Sequence, residues 1–158
     1  MAKLRFSILI HAPRSKVWST MLDDATYRVW SAAFSPGSHY VGDWSQGSKI
    51  LFLGPDPNTG KLGGMVSRIA ENRLHEYISI EHLGLVSDGL EDTTSQEAKV
   101  WAGSHENYTF KDAQGATEVL VDLDIADEFK EMFEGLWPKA LQTLKELAAR
   151  MAKIEESC

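Results

Sequence analysis

The C-terminal segment places the tightest constraint on what this chain can fold into. Phe129, Met132, Phe133, Leu136, Trp137, Ala140, Leu141, Leu144, Leu147, Ala148 and Met151 step by three or four residues without losing phase, the periodicity of one helical face buried along its whole length. Pro138 lies inside the run. In a straight helix it removes a backbone hydrogen bond and costs about 3 kcal/mol. A true break would let the second half restart at any angle, so the preserved phase predicts one long helix kinked at Pro138. Gly135 and Pro138 project from the side opposite the stripe. A proline on the outer face bends a helix around whatever its inner face covers, so the helix is expected to curve over a sheet.

The rest of the chain supplies that sheet. Leu4, Phe6, Ile8 and Ile10 alternate with Lys3, Arg5 and Ser7, which reads as a strand rather than a leader segment. "APRSKVWSTMLDD" follows, with Pro13 at a helix start and Val17, Trp18, Met21 and Leu22 on one face. "DATYRVWSAAF" reads as a second short helix with Tyr27, Trp30 and Phe34 as its apolar residues. Residues 35–84 alternate extended segments with turns near "SQG", "PDPNTG" and "ENR", the pattern of an antiparallel meander. Residues 84–97, "GLVSDGLEDTTSQE", read as a mobile polar loop before a strand "AKVWAGSHENYTF". "KDAQGAT" turns into a last strand, "EVLVDLDI". These elements predict an α+β protein in which a curved antiparallel sheet wraps around the long kinked C-terminal helix, with two short helices after the first strand.

Composition narrows the partners. With 158 residues and 43% hydrophobic content, the chain is long enough for one domain, 1–158, with a sizeable core. A formal net charge of −7 speaks against nucleic acid and against anionic membranes. No stretch approaches transmembrane length, so membrane insertion is not expected. The single cysteine, Cys158, permits no internal disulfide and fits a reducing, cytoplasmic compartment. The five histidines are scattered, with no HExxH and no cysteine pair, so neither a metal nor another cofactor is expected. "LGGMVSRIAEN" opens a strand rather than a helix, so its glycines are not a phosphate cradle.

The element order, together with "APRSKVWSTMLDD", "GDWSQGS", "GGMVSRI", "EYISIEH", "WAGSHENYTF" and "WPKALQTLKEL", resembles the SRPBCC/START-like helix-grip superfamily. The branch it is most similar to is that of small bacterial proteins related to activators of heat-shock chaperone ATPase. The resemblance implies a cavity between sheet and helix, and the loop 84–97, joining two strands that would flank it, is then expected to be a mobile lid at one mouth. The resemblance also implies a range of roles, from lipid and hormone binding through polyketide cyclase chemistry to co-chaperone activity, and the fold does not choose among them.

Strand alternation indicates what faces that cavity. If the apolar side of each strand faces the helix, Ser67, Glu76, His82, Ser104 and Glu106 point inward with Ile78, Ile80, Tyr108 and Phe110, while Asp122 and Asp124 point to solvent. An inward carboxylate costs several kcal/mol unless it finds a partner, a proton or water. The cavity-lining candidates are Trp30, Trp44, Phe52, Ser67, Ile78, Ile80, His82, Ser104, Glu106, Tyr108, Phe133, Trp137 and Leu141. Three functions follow: binding a small hydrophobic or aromatic molecule, acid–base catalysis by Glu106 and His82 in the same cavity, or interaction of an outer surface with a protein such as a chaperone. No catalytic residue is assigned.

Overall fold

The computed structural model describes residues 1–156; Cys158 lies outside the described residues. The element order is β1 (Ala2–Ile10), α1 (Arg14–Leu22), α2 (Asp24–Trp30), β2 (His39–Gly42), β3 (Lys49–Pro55), β4 (Leu62–Arg73), β5 (Tyr77–Ser87), β6 (Leu90–Asp92), α3 (Gln96–Trp101), β7 (His105–Ala113), β8 (Ala116–Ile125) and α4 (Lys130–Glu156). Short 3-10 turns follow α2 and precede α4. The eight strands form one antiparallel sheet in the order β1-β8-β7-β5-β4-β3-β2, with β6 added alongside β5.

The terminal helix is continuous through Pro138, which is exposed along with Gly135 on the side away from the sheet. Its inner face buries Trp137, Ala140, Leu141, Leu144 and Ala148. Met132 departs from the expected stripe and is 51% exposed. The helix leans on β1, α1 and α2 and makes little contact with the far half of the sheet. That asymmetry leaves room between α4 and strands β3 to β5.

Residues 84–97 are not an open loop. β5 continues to Ser87, and Asp88 and Gly89 turn the chain with φ of 51° and 77°, the geometry of a two-residue hairpin, so that Leu90 pairs with Ser87. Asp92 Oδ1 then accepts hydrogen bonds from the backbone N–H of Thr94 and Ser95, and Ser95 Oγ accepts from Ala98 N, capping α3. The predicted strand from Ala98 is therefore helix up to Trp101, and strand pairing begins at His105. The returning chain lies so close to β5 that a Cβ on Gly84 would sit 2.2 Å from the Asp92 carbonyl oxygen. The "ENR" turn also moves: β4 runs to Arg73, and the reversal falls on residues 74–76. Glu76 consequently stands exposed in a turn rather than inside.

Candidate functional site

The parity of β5 and β7 determines what reaches the interior. Pairing is regular from Tyr77↔Thr109 to Glu81↔His105, and the His82 N–H continues it by donating to the Ser104 carbonyl at 2.8 Å. Two register shifts interrupt β4 against β5, between Val66 and Ser67 and between Ile69 and Glu71, but neither disturbs the β5–β7 pairing. Ile78, Ile80 and His82 therefore share an inner face with Ser104, Glu106, Tyr108 and Phe110. Glu106 sits opposite Ile80, so it is the diagonal neighbour of His82 one strand away.

A cavity of about 420 Å³ lies over this part of the sheet. Its walls are Tyr27, Trp30 and Phe34 from α2 and the turn after it, Phe52 to Pro55 from β3, and Gly63 to Met65 from β4. His82, Trp101, Glu106, Tyr108, Leu123, Asp124, Ile125, Phe133 and Trp137 form the rest of the wall, with Ser31, Ser35 and Ser38 from the segment after α2. The exposed Asp56 at its edge marks where it meets the surface. Trp30 Nε1 donates to the Met21 carbonyl at 3.0 Å and Ser31 Oγ to the Tyr27 carbonyl at 2.6 Å, so these two groups are satisfied within the chain, whereas the Tyr27 phenol lines the cavity within reach of the Glu106 charge. The α2 wall is mostly aromatic. Trp137 joins its layers, with ring centroids 4.9 Å from Phe34 and 6.1 Å from both Trp30 and Tyr108.

Of the residues singled out from the sequence, Trp30, Phe52, His82, Glu106, Tyr108, Phe133 and Trp137 line this cavity, and six do not. Trp44 packs edge-on to Tyr40 and at a tilt against Phe52. Ile78 and Ile80 are fully covered by the core. Leu141 lies one turn too far along α4, among the packed residues. Ser67 is buried behind His82 and hydrogen-bonds its Nδ1 at 2.8 Å. Ser104 Oγ donates to the Trp101 carbonyl and closes the end of α3. None of residues 84–97 lines the cavity, so this segment does not form the expected lid. Asp124, expected in solvent, is only 21% exposed: Oδ2 accepts from the His105 N–H and Oδ1 from Lys3 Nζ.

Sequence reasoning missed Tyr27, Phe34 and Trp101 as lining residues. The first two were visible as the apolar side of a short helix, and Trp101 follows the Ser95 cap by six residues, which places it at the end of a helix rather than within a strand.

The electrostatics of the polar cluster follow from burial. Tyr108 OH donates to Glu106 Oε2, and His82 Nε2 stands 3.9 Å from Glu106 Oε1. Burial raises the Glu106 carboxyl above its ordinary value, against the lowering effect of the Tyr108 hydrogen bond. Burial, then the charge of nearby His105, lowers His82 to about 4, against the pull of Asp124, so its imidazole is neutral at pH 7. Burial and the Glu106 charge also push the Tyr27 and Tyr108 phenols up, and both remain protonated donors. Among the described residues no group of three or more His, Cys, Asp or Glu is placed to hold a metal ion. No helix among them is long and apolar enough to cross a membrane.

No family model matches the chain, and no curated protein matches it in sequence. Solved structures do. The Aha1 dimer protein from Colwellia psychrerythraea is 16% identical over 94% of this chain and 97% of its own, with a TM-score of 0.68. A protein from Nitrosomonas europaea is 15% identical over 99% of this chain and 97% of its own, with a TM-score of 0.70. DynU16, from the dynemicin biosynthetic locus, is 15% identical over 91% of this chain but 46% of its own, with a TM-score of 0.60. This chain has the helix-grip fold. At such identities the likeness extends to the fold alone, and function has to be argued from the cavity.

Proposed function

We propose that the protein binds a small, largely apolar molecule in the cavity between the sheet and the N-terminal half of α4, anchoring its polar end at Glu106, Tyr108 and His82. The observation that carries this reading is a carboxylate inside an aromatic chamber. Among the described residues Glu106 pairs with no lysine or arginine, and keeping a largely buried carboxylate without a cation costs free energy that an apolar residue would not. Positions that break the local rules of a core in this way are expected at functional sites. The cavity volume falls in the range of small-molecule sites, with aromatic walls and few convergent polar groups.

Native mass spectrometry of the purified chain, beside its Glu106→Gln variant, tests the reading. A small molecule retained by the parent and depleted in the isosteric variant is the expected result. An empty parent that also fails to take up an apolar fluorescent probe would overturn it and transfer the function to an outer surface, such as one facing a chaperone. Proton transfer is a second reading, supported by the raised Glu106 carboxyl beside a neutral imidazole. It requires chemical conversion of the retained molecule, lost in Glu106→Gln.

A further inference from the structure

The gap between His82 and Glu106 carries information about the ligand itself. His82 Nε2 and Glu106 Oε1 face each other at 3.9 Å, too far for a direct hydrogen bond. Among the described residues, Nε2 makes no hydrogen bond. An oxygen about 2.8 Å from each atom would sit at the apex of a triangle over that base, within ordinary hydrogen-bonding distance of both.

The hydrogen-bond inventory says what kind of oxygen. Ser67 Oγ is fully buried, and its one partner among the described residues is His82 Nδ1. If the serine hydroxyl donates to Nδ1, both groups are satisfied and the imidazole hydrogen resides on Nε2, directed at the gap. The opposite tautomer would leave a buried serine hydrogen with no acceptor. On the other side, Glu106 Oε2 accepts from Tyr108, which leaves Oε1 as an acceptor toward the gap. Besides the Tyr27 phenol, a further donor on the facing wall within reach of the Glu106 charge, the gap between His82 and Glu106 thus offers one donor and one acceptor to a single atom. A hydroxyl accepts from the first and donates to the second. An ether oxygen can only accept, an ammonium group would meet the Nε2 hydrogen, and a carboxylate would bring a second negative charge against Glu106.

Charge in the rest of the cavity points the same way. Among the described residues, Glu106, Asp56 and Asp124 are the ionisable acids along its walls and no lysine or arginine lines it, so an anionic ligand finds no counter-charge there. The rings of Trp30, Phe52 and Trp137 suit a flat or cyclic apolar body. Resting on the binding function proposed above, we infer that the ligand is an uncharged cyclic or aromatic alcohol or phenol, its hydroxyl seated between His82 Nε2 and Glu106 Oε1, and that the cavity rejects carboxylic acids. Ser67 acts as a positioning residue that holds His82 in the donating tautomer.

Isothermal titration at pH 7 with 2-naphthol, 2-methoxynaphthalene and 2-naphthoate isolates the hydroxyl, because the three share one ring system. The naphthol is expected to bind at least about tenfold more tightly than the ether, the worth of one hydrogen bond to a charged group. The naphthoate is expected to be the weakest of the three. Glu106→Gln should reduce the preference for naphthol over naphthoate by about tenfold or more. Ser67→Ala, a small change that frees Nδ1, should shrink the naphthol-to-ether ratio several-fold while the ring still binds. Equal binding of all three compounds, or tightest binding of the naphthoate, overturns the hydroxyl assignment and leaves the cavity reading standing; binding of none overturns both.

Discussion

The two halves of the space under α4 are built from the same strands and end differently. Toward the C-terminal half of the helix, Ala140, Leu141, Leu144 and Ala148 share a closed core with Val17, Trp18, Phe110, Val119 and Val121. Small residues on the helix let it approach the sheet, and the space fills. Toward the N-terminal half, Phe133 and Trp137 stand where alanine and leucine stand further on, and a chamber of about 420 Å³ remains. Strand β7 makes the point within one face: Phe110 belongs to the filled half, Glu106 to the hollow one, and Tyr108 between them donates across the boundary. Bulky aromatic side chains act here as spacers as well as filler. A cavity persists where rigid rings hold helix and sheet apart.

The contrast predicts unequal costs for truncation. Leu144 is 0% exposed, and Leu144→Ala should lower stability by about 3 kcal/mol or more, read from urea unfolding. A loss below about 1 kcal/mol would mean that the filled half is loosely packed.

Acid should act on the hollow half. His82 ordinarily titrates at 6.5 and is held at about 4 in the fold, so between those values the unfolded chain binds a proton that the folded chain does not. Stability therefore falls as pH drops through that window, by up to roughly 3 kcal/mol from this group alone. Glu106 opposes it. Its raised carboxyl takes up a proton in the folded chain before the unfolded one, which adds stability as pH falls. His82→Gln should flatten the decline in urea midpoint between pH 7 and pH 4.5, and Glu106→Gln should steepen it. Parallel profiles for the parent and both variants would contradict the burial of this pair.

Pro138, near the junction of the two halves, should matter less. Pro138→Ala restores a backbone donor but removes the bend expected of a proline on the outer face, and the expected net loss is about 1 kcal/mol with an unchanged unfolding slope. A clearly more stable variant would show that the bend does not serve the packing. The smallest change is expected for Phe133→Ala, whose side chain is partly exposed and already borders empty space; the loss should stay at or below about 1 kcal/mol. If it instead matches Leu144→Ala, the two halves are packed alike and the chamber closes in solution.

Much of this organisation is legible in the chain, where the side-chain period is strong. Leu4 to Ile10 reads as β1, and the stripe from Phe133 to Met151 reads as α4, with Pro138 on the outside. Ser67, His82, Ser104 and Glu106 read as inward by simple alternation; the first three are buried and Glu106 lines the cavity, partly exposed. The misreading at 84–97 came from treating polar composition as disorder. Asp88 and Gly89 are a hairpin signal, and Asp92 with Ser95 is a helix-start signal, both carried by local hydrogen bonds that polarity alone does not reveal. Glu76 failed for a related reason, since parity has no meaning once the residue stands in a turn.

Periodicity dictated the long helix, the strands and which side chains face inward, because those depend on repeats of 3.6 and 2 residues that short-range sterics enforce on any such sequence. Which inward residues meet one another was decided by tertiary structure. Ser67, His82 and Glu106 come from three strands, and the 3.9 Å gap between the last two depends on strand register, on bulges that fall beside the β5–β7 pairing rather than within it, and on how far Trp137 holds α4 off the sheet. No local pattern encodes those distances. They emerge from long-range pairing and packing, which is why Ile80 and Glu106, opposite one another in the sheet, end as core and as cavity wall.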